Sequence, residues 1–364
     1  MPKAADYLEL IRQLPAPATA VRVLNVCGGH ERSIAEIGLR SLLPDWVKLL
    51  PGPGCPVCVC PEEAIYQAIH IALAHPVTLV AFGDMLRVPV NVGRNEPNSL
   101  AAARAQGADI RPIASPLEVI ELARQLAPRP VVFFAAGFET TMAPVAAMLA
   151  DPRLPENLFM LLAGRLTWPA VAYLLSAGDA GFEAMIAPGH VAAIMGANEW
   201  RFVAERFGLP VAVAGFSADS LLCALYTVLT RKLAHVAALD NAYAAVVKPE
   251  GNLQAQKLIA AAFSVEDAAW RGIGMIPDSG YRLAPHHARR DAATRFPIQH
   301  ADRKRAGAMP PGCDCAAVLL ARKSPDQCRL YGSACTPSQP VGPCMVSDEG
   351  ACHIWWAAGL RRQA

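Results

Sequence analysis

The stretch VVFFAAGFETT, residues 131–141, decides the fold. It is a short run of β-branched and aromatic apolar residues that ends in small residues and leads into a helix-like segment. Continuous apolar strands that alternate with helices predict parallel sheets with both faces covered, so we expect the α/β class. The same order recurs in VRVLNVCGGH (21–30), VTLVAFGDM (77–85), LFMLLAGRLTWPAVAYLL (158–175), EAMIAPGHVAAIMG (183–196) and VAVAGFSADSLLCALYTVL (211–229).

About six such units fit either one large doubly wound sheet or two smaller α/β domains. We favour two parallel-sheet domains, 1–125 and 126–264, divided near the proline-containing stretch RQLAPRP (124–130). The pattern stops near residue 265, and a cysteine-rich C-terminal region, 265–364, follows. Its polar, basic and proline-punctuated segment 285–312 is typical of a linker or a surface wrap.

Composition excludes several classes of protein. The chain of 364 residues is 53% hydrophobic and carries a formal net charge of +2. That balance argues against a nucleic acid or an anionic membrane as partner. Its apolar runs fall short of the roughly 20 residues that span a bilayer. The start, MPKAADYLELIRQL, has no apolar segment typical of a secretory signal, so we expect a cytoplasmic protein.

The eleven cysteines are clustered. Four lie within 27–60, six lie within 313–352, and Cys223 stands alone. Because a reducing cytosol disfavours structural disulfides, clustered cysteines in such a protein indicate metal or redox chemistry.

The segment PGPGCPVCVCPEE, residues 51–63, contains a C-x-x-C pair, Cys55 and Cys58. Such a pair can chelate zinc, but zinc normally needs a second pair of ligands, and none lies nearby in the sequence. It can also close a disulfide, and the surrounding prolines would pre-organise it. We favour a redox dithiol, and Cys60 is left without a role.

Polar residues follow three of the predicted strands, in CGGH (27–30), GFETT (137–141) and PGH (188–190). Because open α/β sheets bind ligands at the carboxyl ends of their strands, we expect a shared site there. Cys27 lies where a strand opens into a helix, and a helix N-terminus is expected to lower its thiol pKa. The alternative is a small core cysteine beside ordinary solvated side chains.

The C-terminal cysteines offer more than the four thiolates that a zinc ion or a cubane cluster needs. Their long gaps are not the paired C-x2-C spacing of zinc ribbons, and they favour a [4Fe-4S] cluster, while leaving open which two are spare. Motifs for dinucleotides, the P-loop and serine hydrolases are absent from the sequence. The six are Cys313, Cys315, Cys328, Cys335, Cys344 and Cys352.

Taken in order along the chain, seven motifs resemble the HypD family of [NiFe]-hydrogenase maturation proteins. They are CGGH (27–30), PGPGCPVC (51–58), FGDMLRVP (82–89), GFETT (137–141), APGHV (187–191), WRGIG (270–274) and CTP…PVGPCMVSDEGAC (335–352). No single motif is specific, but together they cover nearly the whole chain.

The resemblance implies a cytoplasmic iron–sulfur scaffold rather than a conventional turnover enzyme. With a small HypC partner, the family carries the iron on which the Fe(CN)2CO group of the hydrogenase large subunit is built. Cyanide comes from HypE, which HypF charges. The family fold has two α/β domains and a C-terminal cluster-binding region.

Carried over motif by motif, the resemblance implies a role for several residues. Cys27 would hold the iron together with a cysteine of HypC, and His30 would line that site. Cys55 and Cys58 would be the redox-active pair. The remaining strand-end residues, Glu139, Thr140 and His190, would line the cleft.

The family's cluster spacing, C-x12–14-C-x6-C-x16-C, also fits this chain. It selects four ligands and leaves Cys313 and Cys344 as spares. The ligands so implied are Cys315, Cys328, Cys335 and Cys352.

The chain departs from the family pattern at three places. Arg32 stands where a second histidine is expected, Val90 and Asn91 replace an expected Gly-Ser, and Cys60 is an additional thiol. Two rival functions remain. One is a stand-alone iron–sulfur disulfide reductase, which gives Cys27 and Glu139 no role, and the other is a zinc-stabilised interaction module.

Overall fold

The computed structural model describes residues 3–178, 181–298 and 307–360. The strands are β1 Val21–Asn25, β2 Val47–Pro51, β3 Thr78–Phe82, β4 Ile110–Ile113, β5 Val131–Gly137, β6 Leu158–Gly164, β7 Ala184–Pro188, β8 Val211–Ala214, β9 Leu239–Asn241, β10 Phe263–Trp270 and β11 Gly274–Leu283. The α-helices are α1 Ala4–Gln13, α2 Gly28–Glu36, α3 Leu39–Leu42, α4 Pro56–Val59, α5 Glu62–Ala74, α6 Leu100–Ala105, α7 Pro116–Leu126, α8 Glu139–Leu149, α9 Thr167–Ser176, α10 Gly189–Met195, α11 Arg201–Phe207, α12 Ala218–Leu233, α13 Leu253–Ala262, α14 Ala292–Arg295, α15 Cys315–Leu319 and α16 Ala351–Ala357. Short 3-10 helices cover Gly83–Arg87, Ala197–Trp200, Pro285–Arg290, Pro325–Gln327 and Pro343–Met345.

Two parallel sheets form the body of the molecule, which confirms the α/β class. One sheet has five strands in the order β2-β1-β7-β8-β9, and the other has four in the order β4-β3-β5-β6. Every neighbouring pair in both sheets is parallel. All seven residues of β5 are buried, as the continuous apolar run predicted for a strand covered on both faces.

The predicted division at residue 125 does not coincide with a boundary between the sheets. In the four-stranded sheet, β3 and β4 precede that residue, and β5 and β6 follow it. In the other sheet, β1 pairs with both β2 and the distant β7. The first strand of the chain therefore pairs with a strand formed more than a hundred residues later.

The region after residue 262 contains regular structure that the sequence did not predict. β10 and β11 form an antiparallel hairpin. The expected surface wrap follows it, and its described part packs on the four-stranded sheet. There the buried Arg290 donates hydrogen bonds to the carbonyls of Leu154, Pro155 and Leu158. Residues 299–306 of the wrap lie outside the described residues.

One apolar core joins the N-terminal C-x-x-C loop to the C-terminal cysteines. Cys55, Cys58 and Cys60 belong to the same buried cluster as Cys315 and Cys352. Among the residues that the structure describes, none of the helices combines the length and the apolarity that crossing a membrane requires.

Candidate functional site

Cys27 lies where the sequence predicted it, at the carboxyl end of β1. It is the N-cap of α2, with extended backbone, and its side chain makes no capping hydrogen bond. The amide of Gly28 donates to the carbonyl of Gly54 (3.1 Å). The strand, the helix start and the loop that precedes Cys55 therefore hold this cysteine from three sides.

The electrostatics of Cys27 differ from the sequence expectation. The backbone N–H groups of Gly29 and His30 at the helix start favour the thiolate. Burial outweighs them and raises the pKa of the Cys27 thiol to about 12. The predicted thiolate is therefore wrong for the protein without a metal, and a bound cation is what would release the proton.

Phe216 lies between the two histidines of the predicted site, stacked on His190 and tilted against His30. Its ring centroid lies 3.8 Å from that of His190 and 4.8 Å from that of His30. It also covers Gly29, because a Cβ built there would lie 2.8 Å from the phenyl ring. Phe216 follows β8, so adjacent strand ends of one sheet do bring Cys27, His30 and His190 together.

The two imidazoles have different surroundings. His30 is fully buried; its Nε2 donates to the carbonyl of Ala214 (2.9 Å), and its Nδ1 lies 3.3 Å from Oδ1 of Asn25. Burial lowers the pKa of His30 to about 4, so the ring is neutral at pH 7. His190 is exposed, and partial burial of its ring lowers its pKa as well.

Glu139 and Thr140 lie at the carboxyl end of the other sheet, after β5. Glu139 is fully buried, and its carboxylate accepts hydrogen bonds from the amide (2.6 Å) and the hydroxyl (2.7 Å) of Thr167. Burial raises its pKa to about 7 in spite of these bonds. Thr140 is half-buried. Helix α8, which begins at the end of β5, packs against helix α10, which begins at the end of β7.

Cys55 and Cys58 are joined by a disulfide, as the spacing allowed. Cys55 is the N-cap of α4, and its sulfur accepts the backbone N–H of Cys58 (3.2 Å). The preceding Gly54 touches the first site, because a Cβ there would lie 2.5 Å from the backbone nitrogen of Cys27. Only a glycine permits this approach, so the loop seats the disulfide beside Cys27.

Three buried cysteines meet in the C-terminal region. The sulfur atoms of Cys315, Cys344 and Cys352 lie within 4.8 Å of one another. Cys315 begins α15, Cys344 belongs to the 3-10 helix Pro343–Met345, and Cys352 lies in the first turn of α16. Soft thiol donors at this separation fit a thiolate-bound metal ion or an iron–sulfur cluster.

The predicted quartet is only partly assembled in this group. Cys344, which the family spacing left as a spare, is its third member. Cys328 and Cys335 are outside it: the first thiol donates to the carbonyl of Gly312 (3.8 Å), and the second accepts the amide of Val341 (3.3 Å). The quartet therefore stays a prediction, with a set that contains Cys344 as its competitor.

Gly342 packs directly against the sulfur atoms of Cys313 and Cys315. A Cβ there would lie 2.4 Å from Sγ of Cys313 and 2.6 Å from Sγ of Cys315. The pKa of Cys313 is lowered to about 7, first by its hydrogen bond with the Cys315 thiol and then by the backbone and the Arg271 charge. The backbone and a nearby cation thus favour an anionic sulfur at Cys313.

The comparison with known proteins agrees with this arrangement. A model of the family described as "HypD: Hydrogenase formation hypA family" matches residues 3–359. The chain is 40% identical to the hydrogenase maturation factor HypD of Escherichia coli K12, over 92% of this chain and 88% of that protein. The proteins of the same name from Azotobacter vinelandii and Rhodobacter capsulatus are each 38% identical, with coverage of 96% and 99% of this chain and 92% and 95% of theirs.

The chain belongs to the HypD family. At the place where its pattern departs from the expected family histidine, Arg32 donates to the carbonyl of Asp348 (2.7 Å) and lies 3.6 Å from the carboxylate of the same residue. Next to this contact, a Cβ at Gly28 would lie 2.6 Å from Glu349. The helix that starts at Cys27 is therefore bound directly to the loop that precedes Cys352.

A buried carboxylate in this HypD-family chain makes a second link between the two regions. Glu31 of α2 accepts the indole N–H of Trp355 (2.6 Å) and pairs with Arg40 (2.7 Å). The amide of Asn25 donates to it as well (3.2 Å). Trp355 belongs to α16, one turn after Cys352, so the C-terminal cysteine helix is anchored to the Cys27 helix.

Sequence reasoning missed Phe216, Glu31 and Trp355. Phe216 follows an apolar run and small residues in the same way as the histidine motifs do, so its position was available as a signal. Glu31 stands directly after CGGH, but its partner lies 324 residues away, and no local pattern connects them.

Proposed function

We propose that this chain is a scaffold on which the iron group of a [NiFe] hydrogenase is assembled. One observation supports it most: a half-buried thiol at a strand end, a C-x-x-C disulfide and a group of buried cysteines adjoin one another. Cys27 touches the loop of the disulfide, and that disulfide shares its core with Cys315 and Cys352. Family membership supplies the context of hydrogenase maturation.

In this proposal the iron is cargo, and Cys27 is its ligand in the chain. Binding of the ferrous ion displaces the proton that burial holds on the thiol. The N–H groups of Gly29 and His30 then stabilise the thiolate. Because His30 is neutral and engaged with Ala214, it orients the wall of the site and adds no positive charge. HypC supplies the second cysteine, as the resemblance implies.

Cys55 and Cys58 are proposed to be a two-electron couple beside this cargo. Reduction of the disulfide consumes two electrons and two protons and yields two thiols; reoxidation returns them. The N–H of Cys58 that bonds to the Cys55 sulfur favours a thiolate on Cys55 in the reduced state. A [4Fe-4S] cluster held by four of the C-terminal cysteines would supply single electrons.

The cleft residues are proposed to control protons around the cargo. Glu139, with its pKa raised to about 7, exchanges a proton near neutral pH, and Thr167 fixes the orientation of its carboxylate. Thr140 and His190 line the same cleft between the two helices that begin at these strand ends. The proposed partners are a small HypC-like protein and HypE, with HypF upstream, in the cytoplasm.

An infrared spectrum tests this proposal. The chain is purified anaerobically with its HypC-like partner from cells that contain HypE and HypF. We expect cyanide and carbonyl stretches in the wild type, and none in Cys27→Ala. The matched control is Cys223→Ala, since Cys223 is a half-buried thiol on α12 and belongs neither to the Cys27 site nor to the group of three.

The same preparation distinguishes the scaffold from the alternative function, a stand-alone iron–sulfur disulfide reductase. A protein that contains iron and sulfide, reduces its disulfide, and lacks the infrared bands with every partner present would be a disulfide reductase. Bands that persist unchanged in Cys27→Ala would remove Cys27 from the role of ligand.

A further inference from the structure

Arg271 is a buried cation with unused hydrogen-bond donors. It lies in the turn between β10 and β11, and its side chain is only 2% exposed. Its backbone N–H donates to the carbonyl of Val59 (3.0 Å), and its Nη2 donates to the carbonyl of Pro89 (2.7 Å). Within residues 3–178, 181–298 and 307–360, its Nε and Nη1 have no hydrogen-bond partner. Buried donors without acceptors are rare, so they point to an acceptor that the described residues do not supply.

The surroundings of Arg271 indicate the chemistry of that acceptor. The groups that act on its charge are the carboxylate of Glu62 and the thiols of Cys60, Cys313 and Cys315. Burial lowers the pKa of the guanidinium, but arginine stays charged in proteins. Three of these four groups are thiols.

The carboxylate of Glu62 is not hydrogen-bonded to Arg271. Its oxygens accept the side-chain amide of Asn91 (3.1 Å) and the backbone N–H of Gly307 (3.0 Å). Glu62 thus offsets part of the charge from a distance and leaves the two donors of Arg271 unpaired.

The turn that carries Arg271 is pressed against the cysteine group. Gly272, with φ of +72°, adopts the left-handed conformation that favours glycine. A Cβ there would lie 2.9 Å from the Cβ of Ala316, the residue after Cys315. The guanidinium is therefore held on the side of the cysteine group that faces α4 and the disulfide loop.

We propose that Arg271 is a positioning residue for an anionic iron–sulfur cluster at the C-terminal cysteines, and that its Nε–H and Nη1–H donate to sulfur atoms of that cluster. The inference rests on the cluster of the proposed function. A [4Fe-4S] cluster with four thiolates is anionic, and reduction adds one more negative charge. Because hydrogen bonds to sulfur and net charge set the reduction potential, a buried guanidinium at this place raises it. Arg271 thereby makes the cluster easier to reduce.

The first experiment measures the potential in the full-length chain, purified anaerobically. The variants are Arg271→Gln, which loses the charge, and Arg271→Lys, which keeps the charge and loses the planar fork. Arg290→Gln is the matched control, because Arg290 is also buried and bonded to carbonyls, and only Arg289 and Glu156 act on its charge. Each is titrated with dithionite, followed by electron paramagnetic resonance, after iron and sulfide analysis.

We expect the equilibrium constant for one-electron reduction to fall at least tenfold in Arg271→Gln, which is a shift of about 59 mV to more negative potential. Arg271→Lys should shift less, and Arg290→Gln should match the wild type. An unchanged potential in Arg271→Gln at full iron content would overturn the inference.

The second experiment starts from the wild-type chain, so its first observation does not depend on the folding of a variant. The wild-type chain is labelled with [15N]arginine, and the reduced cluster is examined by pulsed electron paramagnetic resonance. We expect a hyperfine coupling to 15N that disappears in Arg271→Lys. A cluster without this coupling would overturn the inference and leave the proposed function intact, whereas a wild type without iron and sulfide would overturn both.

Discussion

The Cys27 site and the C-terminal cysteine group are built in different ways. Cys27 follows a strand that is held by parallel neighbours on both sides, and its helix extends over nine residues. The cysteines of the second group stand on helices of five, three and seven residues that are joined by turns. The first site is therefore positioned by the sheet, whereas the second lies on short elements that a bound metal would hold together. The two should respond differently to loss of a sulfur.

Removal of Cys352 should have the largest effect and would sharpen this contrast. Cys352→Ala takes one ligand from both candidate sets. We expect complete loss of bound iron and sulfide, with amide hydrogen exchange in 313–352 at least tenfold faster and exchange in the sheets unchanged. Iron analysis and hydrogen-exchange mass spectrometry measure these quantities, and Cys27→Ala should leave both unchanged.

The two candidate ligand sets differ at Cys344, which only the observed group of three contains. If Cys344 is a ligand, Cys344→Ala loses the cluster, whereas a cluster that Cys344→Ala retains at full iron content supports the family spacing. Cys223→Ala is the neutral control in both cases. A cluster that survives Cys352→Ala at full iron content would break the comparison.

The free energy of unfolding should depend on pH through Glu139, which lies at the carboxyl end of β5. Its folded pKa of about 7 lies above the usual 4.5, so the folded chain binds the proton more tightly than the unfolded chain. The resulting stabilisation is fully present below pH 4.5 and is lost as the pH rises through 7. At 1.36 kcal/mol per pKa unit this amounts to about 3 kcal/mol.

Glu139→Gln should remove this pH dependence. Urea unfolding between pH 4.5 and 8 measures it, and the exposed Glu9→Gln is the control. The same slope in wild type and Glu139→Gln would show that another group carries the proton.

Loss of the hydrogen bond between Trp355 and Glu31, which links the C-terminal cysteine helix to the Cys27 helix, should have the smallest effect on stability. In Trp355→Phe the buried carboxylate of Glu31 loses its indole donor but keeps Arg40 and Asn25. We expect a loss of about 1–2 kcal/mol in the free energy of unfolding, measured in urea. The control is Trp356→Phe, because Trp356 is the half-buried tryptophan next to Trp355. Equal losses in both variants would mean that packing, and not the hydrogen bond, joins the regions.

The sequence was sufficient for the fold class and for the positions of the strand ends. Apolar runs that end in small residues report burial on both faces, and β5 has this property. This signal does not predict which strands share a sheet. β1 and β7 pair directly, although all four strands of the other sheet lie between them in the sequence. The β10–β11 hairpin was missed because neither strand shows a continuous buried run or a regular alternation of buried and exposed residues.

The candidate site shows the same limit. Position relative to a helix predicted a lowered pKa for Cys27, but burial is a tertiary property and reverses the direction. The spacing of the cysteines selected Cys328 over Cys344, whereas the fold brings Cys344 beside Cys315. Spacing along the sequence does not show which cysteines a turn brings close together. The turn at Gly342, for example, packs against Cys313 and Cys315.

The contact between α2 and α16 also sets when the Cys27 site is completed. Glu31 meets Trp355 across 324 residues of chain, and Gly28 meets Glu349. At roughly 10 residues per second of synthesis, about half a minute separates the two ends of this contact. A nascent chain still on the ribosome has Cys27 but lacks the wall that closes its site. In the proposed function, iron loading at Cys27 would therefore follow the synthesis of α16.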